Sequence, residues 1–167
     1  NAFSQVNPVQ TVRLYDLVRD WSLSGEGGRV IDAYCGSGGI SLWLAKSGAK
    51  VLGIEEVAEA VESARHSAQI NGLADLCEFV VGDAENHMEQ SGIRSVVLDP
   101  PRKGCSEGTI NSLAKMSPDC IVYVSCNPST LARDVGKLTA YKIEKLCVVD
   151  MFPQTPHVET VVLLRRR

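Results

Sequence analysis

Short runs rich in Val and Ile recur along the chain with amphipathic segments between them, and that alternation leaves few folds open. The runs fall at 29–34, 50–55, 77–81, 95–99, 120–125, 143–150 and 158–164. Helical spacing separates the first five, at 41–47, 57–71, 84–91 and 107–115, and recurs at 130–137; another helical stretch, 9–21, precedes the first run. In 57–71 the apolar residues Val57, Ala60, Val61, Ala64, Ala68 and Ile70 share one face, and Asn71-Gly72 supplies a stop. The pattern predicts an α/β fold with a mostly parallel sheet of seven strands. The last two runs lack a helix between them, so they are expected to close the sheet as an antiparallel hairpin at its edge.

With 44% hydrophobic and 22% charged residues over 167 positions, the chain is expected to form one domain with a sizeable core. It carries no run of roughly 20 apolar residues and no signal-peptide pattern at its start, so a cytoplasmic place is expected, with no membrane partner. A net charge of -3 gives no general attraction for nucleic acid, and any polyanion has to be held locally. The six cysteines form no C-x-x-C pair, which argues against a metal site. The chain opens on Asn1 without a Met and ends in three arginines, as expected of a domain cut from something longer.

Chemistry-bearing residues gather at the ends of the runs. The first leads into Asp32-Ala33-Tyr34-Cys35-Gly36-Ser37-Gly38-Gly39, a glycine turn that opens a helix and lets the backbone approach a ligand. Position 41 is Ser, where a dinucleotide fingerprint has Gly or Ala. The second run ends in Glu55, an expected ribose anchor, and the third leads to Asp83, an expected acceptor for an adenine amino group. A rim of Asp32, Glu55, Asp83 and Asp99 attracts a sulfonium cation and repels a pyrophosphate, which favours S-adenosylmethionine over a dinucleotide.

The fourth run ends in Asp99-Pro100-Pro101-Arg102-Lys103-Gly104-Cys105, a rigid exit with Arg102 where amino-methylating enzymes often carry an aromatic residue. Arg102 is therefore expected to meet a phosphate or a base oxygen. The fifth ends in Ser125-Cys126-Asn127-Pro128, placing Cys126 beside a helix N-terminus that favours thiolate; Cys105, expected to be exposed, is its rival as nucleophile.

The motifs F-S-Q-V-N at 3–7, D-A-Y-C-G-S-G at 32–38, D-P-P-R-K-G-C at 99–105, S-C-N-P-S-T-L-A-R-D at 125–134 and D-M-F-P-Q-T-P-H-V-E at 150–159 together resemble the catalytic domain of RNA (uracil-5-)-methyltransferases. The resemblance covers essentially the whole chain, as a single catalytic domain over 1–167 whose residues 1–28 form a helical lead-in. It implies a class I S-adenosylmethionine-dependent methyltransferase fold, Rossmann-like, acting on C5 of a uridine in RNA, with 23S rRNA preferred and tRNA the alternative. By the same resemblance Gln5, Tyr34, Gly36, Gly38, Glu55, Asp83 and Asp99 bind the cofactor, Cys126 is the nucleophile and Glu159 the base. Arg102, Asn127 and His157 are the candidate substrate residues. The family usually has Asn or Thr after its Gly-x-Gly, where this chain has Gly39. It usually carries an N-terminal RNA-binding module as well, which these residues do not contain. Two alternatives remain at this level: a nicotinamide-dependent oxidoreductase domain, and a cofactor-binding fragment without activity of its own.

Overall fold

The computed structural model describes residues 8–24, 28–88, 90–151 and 158–167. They form, in chain order, α1 (Pro8–Ser22), β1 (Arg29–Ala33), α2 (Gly39–Ala45), β2 (Lys50–Glu55), α3 (Ala58–Ile70), β3 (Cys77–Val81), α4 (Ala84–His87), β4 (Ile93–Leu98), α5 (Glu107–Met116), β5 (Cys120–Ser125), α6 (Pro128–Lys137), β6 (Tyr141–Val149) and β7 (Glu159–Arg166). The seven strands make one sheet in the order β3-β2-β1-β4-β5-β7-β6. Pairings from β3 through β5 are parallel, while β7 runs antiparallel to both β5 and β6.

Side chains alternate across the inner strands and bury both faces. Val30, Val97, Val122, Val124 and Leu163 pack under α1 and α2, against Leu14, Val18, Trp21 and Leu44. Ile31, Leu52, Leu98, Ile121 and Tyr123 face the other way, against Met88, Ile110, Leu113 and Leu131. Two covered faces are the reason these strands read as near-continuous apolar runs. The expected fold, a mostly parallel seven-stranded sheet with a C-terminal antiparallel pair, is the one observed.

The hairpin lies at the sheet edge as expected, and the structure shows which of its strands is outermost. Only β6 lies at the edge, and its central residues are exposed; β7 is inserted between β5 and β6 and is buried over six positions. Val161 to Leu164 have no polar member to face solvent, so burial on both faces outweighs sequence order. The helix expected at 84–91 is also cut to a single turn, Ala84–His87, after which Met88 turns fully into the core. The strand expected at 29–34 stops at Ala33, because Tyr34 takes a left-handed φ of 67°.

The order of the strands reverses at β1 and β4, whose loops leave to opposite sides and open a crevice at the carboxyl ends of the parallel strands. Because β7 is antiparallel, its first residue, rather than its last, reaches this same edge.

Candidate active site

A cavity of about 770 Å³ occupies that crevice. The turn after β1 contributes Tyr34, Cys35, Gly36, Ser37 and Gly39; β2 contributes Glu55; the loop after β4 contributes Asp99 through Lys103; Cys126 follows β5, and Glu159 begins β7. The turn folds as it does because glycine relieves it at two points. Gly36 and Gly38 take φ of 53° and 86°, and a Cβ at 38 would lie 2.9 Å from that of Ala64 and 3.2 Å from the Phe79 ring.

Glu55 is fixed by backbone amides: Gly36 N–H and Val57 N–H each donate to one of its oxygens, both at 3.0 Å. Asp32 is fully buried, and Ser41 Oγ donates to its Oδ2 at 2.5 Å. Asp32 lines the cavity, and its other oxygen, Oδ1, is buried without a hydrogen-bond partner among the described residues. Burial, reinforced by Glu55, pushes the Asp32 carboxyl up to about 7 against the Ser41 hydrogen bonds. Burial together with Glu159 and Asp32 pushes Asp99 up to about 8. A positive charge placed among these carboxyl groups opposes both shifts, because it favours their ionised forms against burial and mutual repulsion.

Cys126 and Glu159 come together through the β5–β7 register. Ser125 pairs with Thr160, so the residues one step further toward the cavity are Cys126 and Glu159. Burial raises the Glu159 carboxyl, and Arg102 opposes the rise. Burial also raises the Cys126 thiol, with Glu159 and Asp99 adding to the rise and Arg102 opposing it. The expectation that the α6 N-terminus favours the Cys126 thiolate is thus outweighed by burial and two carboxylates, and the cation that opposes them is Arg102. Cys105 is not the exposed rival expected. It is 8% exposed, its thiol is 3.6 Å from the Tyr123 hydroxyl, and burial pushes it up to about 11.

Three expected site residues stand away from the cavity wall. Asp83 caps α4, receiving Asn86 N–H at 3.0 Å on Oδ1 and Asn86 Nδ2 at 2.9 Å on Oδ2. Asn127 caps α6 by accepting from Ser129 N–H at 3.1 Å, and its Nδ2 donates to the Arg102 carbonyl at 3.1 Å. Gly38 packs against α3 and β3 behind the turn. Gln5 and His157 lie outside the described residues.

Tyr15 of α1 also lines the cavity, and the sequence reading missed it. The signal was Gly39: a Cβ there would collide with the Tyr15 hydroxyl, so the aromatic ring occupies the space that a side chain at 39 would need. Burial, with Asp99 and Asp32 nearby, pushes this phenol up to about 12. Among the described residues, no group of three or more His, Cys, Asp or Glu is arranged to hold a metal ion.

All 167 residues match the family model described as tRNA (uracil-5-)-methyltransferase. The chain belongs to this family. The resemblance carried by the motifs is therefore borne out, and the oxidoreductase alternative falls. An uncharacterized RNA methyltransferase of Clostridium acetobutylicum is 46% identical over 99% of the chain, which spans 37% of that protein. The crystal structure of Pyrococcus abyssi tRNA (uracil-54, C5)-methyltransferase in complex with S-adenosyl-L-homocysteine superposes with a TM-score of 0.90. It is 40% identical, over 98% of this chain and 40% of that one. Magnesium protoporphyrin IX methyltransferase from Synechocystis, at 19% identity and a TM-score of 0.75, shares the fold of this tRNA (uracil-5-)-methyltransferase family member. The chain thus spans less than half the length of the relatives it matches.

Proposed function

We propose that the chain is the catalytic part of an enzyme that methylates C5 of a uridine in RNA, with S-adenosylmethionine as the methyl donor. The observation that carries the reading is the placement of Cys126 and Glu159 side by side on the wall of a cavity that Asp32, Glu55 and Asp99 also line. The donor's fit rests on those carboxyl groups, whose ionised forms a cationic sulfonium favours, and on the unpartnered Asp32 Oδ1. When bound, S-adenosylmethionine supplies a methyl group on a positively charged sulfur for C5 to take.

Uracil C5 is too weak a nucleophile to do this unaided. The Cys126 thiolate forms a bond to C6, and the C5–C6 π pair moves toward O4 as an enolate, which makes C5 nucleophilic. Once C5 carries the methyl group, the Glu159 carboxylate accepts the C5 proton. The pair left behind rebuilds the C5–C6 double bond and expels the Cys126 thiolate, and the site is regenerated when Glu159 passes its proton to solvent. Arg102 beside Cys126 stabilises the thiolate before addition and lies within reach of a base oxygen or phosphate in the same cavity.

The preferred RNA is 23S rRNA, on the likeness of the motifs to the ribosomal branch of the family. The 40% identity to a tRNA (uracil-54, C5)-methyltransferase supports a second reading, tRNA. A single catalytic domain over 1–167 and a cytoplasmic place of work belong to the same proposal. Cofactor roles for Gln5, Tyr34, Gly36, Gly38 and Asp83, and substrate roles for Asn127 and His157, remain part of it on the family's pattern. The test supplies S-adenosylmethionine and, in separate reactions, 23S rRNA and tRNA carrying 5-fluorouridine. Fluorine replaces the proton that Glu159 removes, so the expected result is a denaturant-resistant adduct that peptide mass spectrometry maps to Cys126, on one RNA in preference to the other. Cofactor binding without an adduct on either RNA would overturn the reading.

A further inference from the structure

The loop 101–105, between β4 and α5, has little to hold it from within. Its only internal backbone bond among the described residues is Gly104 N–H to the Pro101 carbonyl at 2.8 Å. It is instead fastened to one face of α6. The Arg102 carbonyl accepts from Asn127 Nδ2 at 3.1 Å and from Thr130 Oγ1 at 3.3 Å, and the Lys103 carbonyl accepts from Arg133 Nη2 at 2.9 Å. Cys105 N–H donates to Asp134 Oδ2 at 2.8 Å. Positions 127, 130 and 134 follow helical spacing, so the fastening comes from a single stripe.

Asp134 is the centre of this stripe and is only 1% exposed. Besides Cys105 N–H it accepts the Tyr123 hydroxyl at 2.7 Å and Arg133 Nε at 2.8 Å, so three elements converge on one buried carboxylate. The loop lies flat against it. Gly104 takes a φ of 78°, and a Cβ there would be 2.5 Å from Asp134 Oδ2 and 2.6 Å from Arg133 Nη2. The helix that carries this stripe begins two residues after Cys126. Arg102 and Cys126 are therefore tied to the same rigid element.

We propose that Asp134 is a positioning residue that locks the 101–105 loop onto α6 and thereby holds the Arg102 guanidinium beside the Cys126 thiol, setting how much thiolate the site offers. This deepens the proposed function, since it rests on Cys126 as the nucleophile. The charged groups that act on Cys126 are Arg102 from the loop, Glu159 from β7 and Asp99 from the end of β4; Lys103 lines the same cavity. The two carboxylates disfavour the thiolate, so any loosening of Arg102 weakens the cation that opposes them.

The test needs neither RNA nor cofactor. The rate of Cys126 alkylation by iodoacetamide is followed against pH, with the site of reaction assigned by peptide mass spectrometry. Asp134→Asn is expected to move the alkylation midpoint up by about one pH unit, slowing reaction at neutral pH by up to about tenfold. Arg102→Gln should give the same shift, and the double variant no more than either alone, because both act through one contact. If Asp134→Asn does not fold, Thr130→Ala with Arg133→Ala removes two loop bonds from the helix surface and should shift the midpoint in the same direction. An unmoved midpoint in folded variants, or additive shifts in the double variant, overturns the role of Asp134. The fluorouridine adduct on the unaltered chain reports separately on Cys126, so the two failures are distinguishable.

Discussion

Cys126 and Glu159 differ in what their loss should do, and the difference follows from where each acts. In the proposed mechanism Cys126→Ser removes the group that adds to C6, so methyl transfer is expected to vanish while S-adenosylmethionine affinity stays within about threefold, a change under 1 kcal/mol. Undiminished turnover in that variant would remove Cys126 from the mechanism. Glu159→Gln keeps the size of the side chain and loses only its ability to take a proton. The covalent protein–RNA species should then accumulate, visible as a slow band on a denaturing gel, and normal release of methylated RNA would show that another group is the base. Cys126 stands out in the sequence by its place between a strand end and a helix start, whereas the role proposed for Glu159 comes only from the motif resemblance, since an acid after His-Val is by itself no more than a strand-end acid. Asp83 carries a feature the sequence did not show: besides standing at a strand end like Glu55 and Asp99, its carboxylate caps α4, where an exposed helix start offers unpaired N–H groups.

The elements that present these side chains are held by steric fit as much as by hydrophobic pattern. Gly38 starts α2 in the left-handed region and leaves no room for a methyl group against Ala64 and Phe79. Gly38→Ala is accordingly expected to cost about 1–3 kcal/mol in denaturant unfolding and to weaken cofactor binding, because the turn bearing Gly36 moves with it. Leu163, fully buried in the middle of β7, anchors the strand that delivers Glu159. Leu163→Ala is expected to destabilise the chain by about 2–5 kcal/mol, and a cost near zero would mean that β7 is not a core strand. The strand pattern of β7 was readable from its unbroken apolar run. Its seat between β5 and β6 was not, because periodicity records how many faces are covered and says nothing of which neighbour covers an edge. The shortened α4 has a similar origin: helical spacing continued to Ser91, but burying Met88 drew the chain away from the helix axis.

Carboxyl burial at the cavity should govern how stability varies with pH. Asp32 and Asp99 keep their protons up to about 7 and about 8 in the folded chain, against roughly 4 when unfolded. Between those values the folded state binds more protons than the unfolded one, so stability falls as pH rises through the window. The unfolding temperature without cofactor is expected to be higher at pH 5.5 than at pH 8.5, and Asp99→Asn should flatten the profile. A profile that rises over that range would contradict protonated carboxyls in the folded state. The amino-acid sequence by itself determined the strand and helix inventory, the glycine turn, the acids at strand ends and the identity of the family, because each rests on local periodicity or on residues adjacent in the chain. The tertiary structure alone decided that β7 lies antiparallel against β5, that Glu159 thereby meets Cys126, and that Tyr15 of α1 fills the space opened by Gly39. These contacts join residues far apart in sequence, and they depend on which apolar faces bury each other best once every strand competes for a place in the sheet.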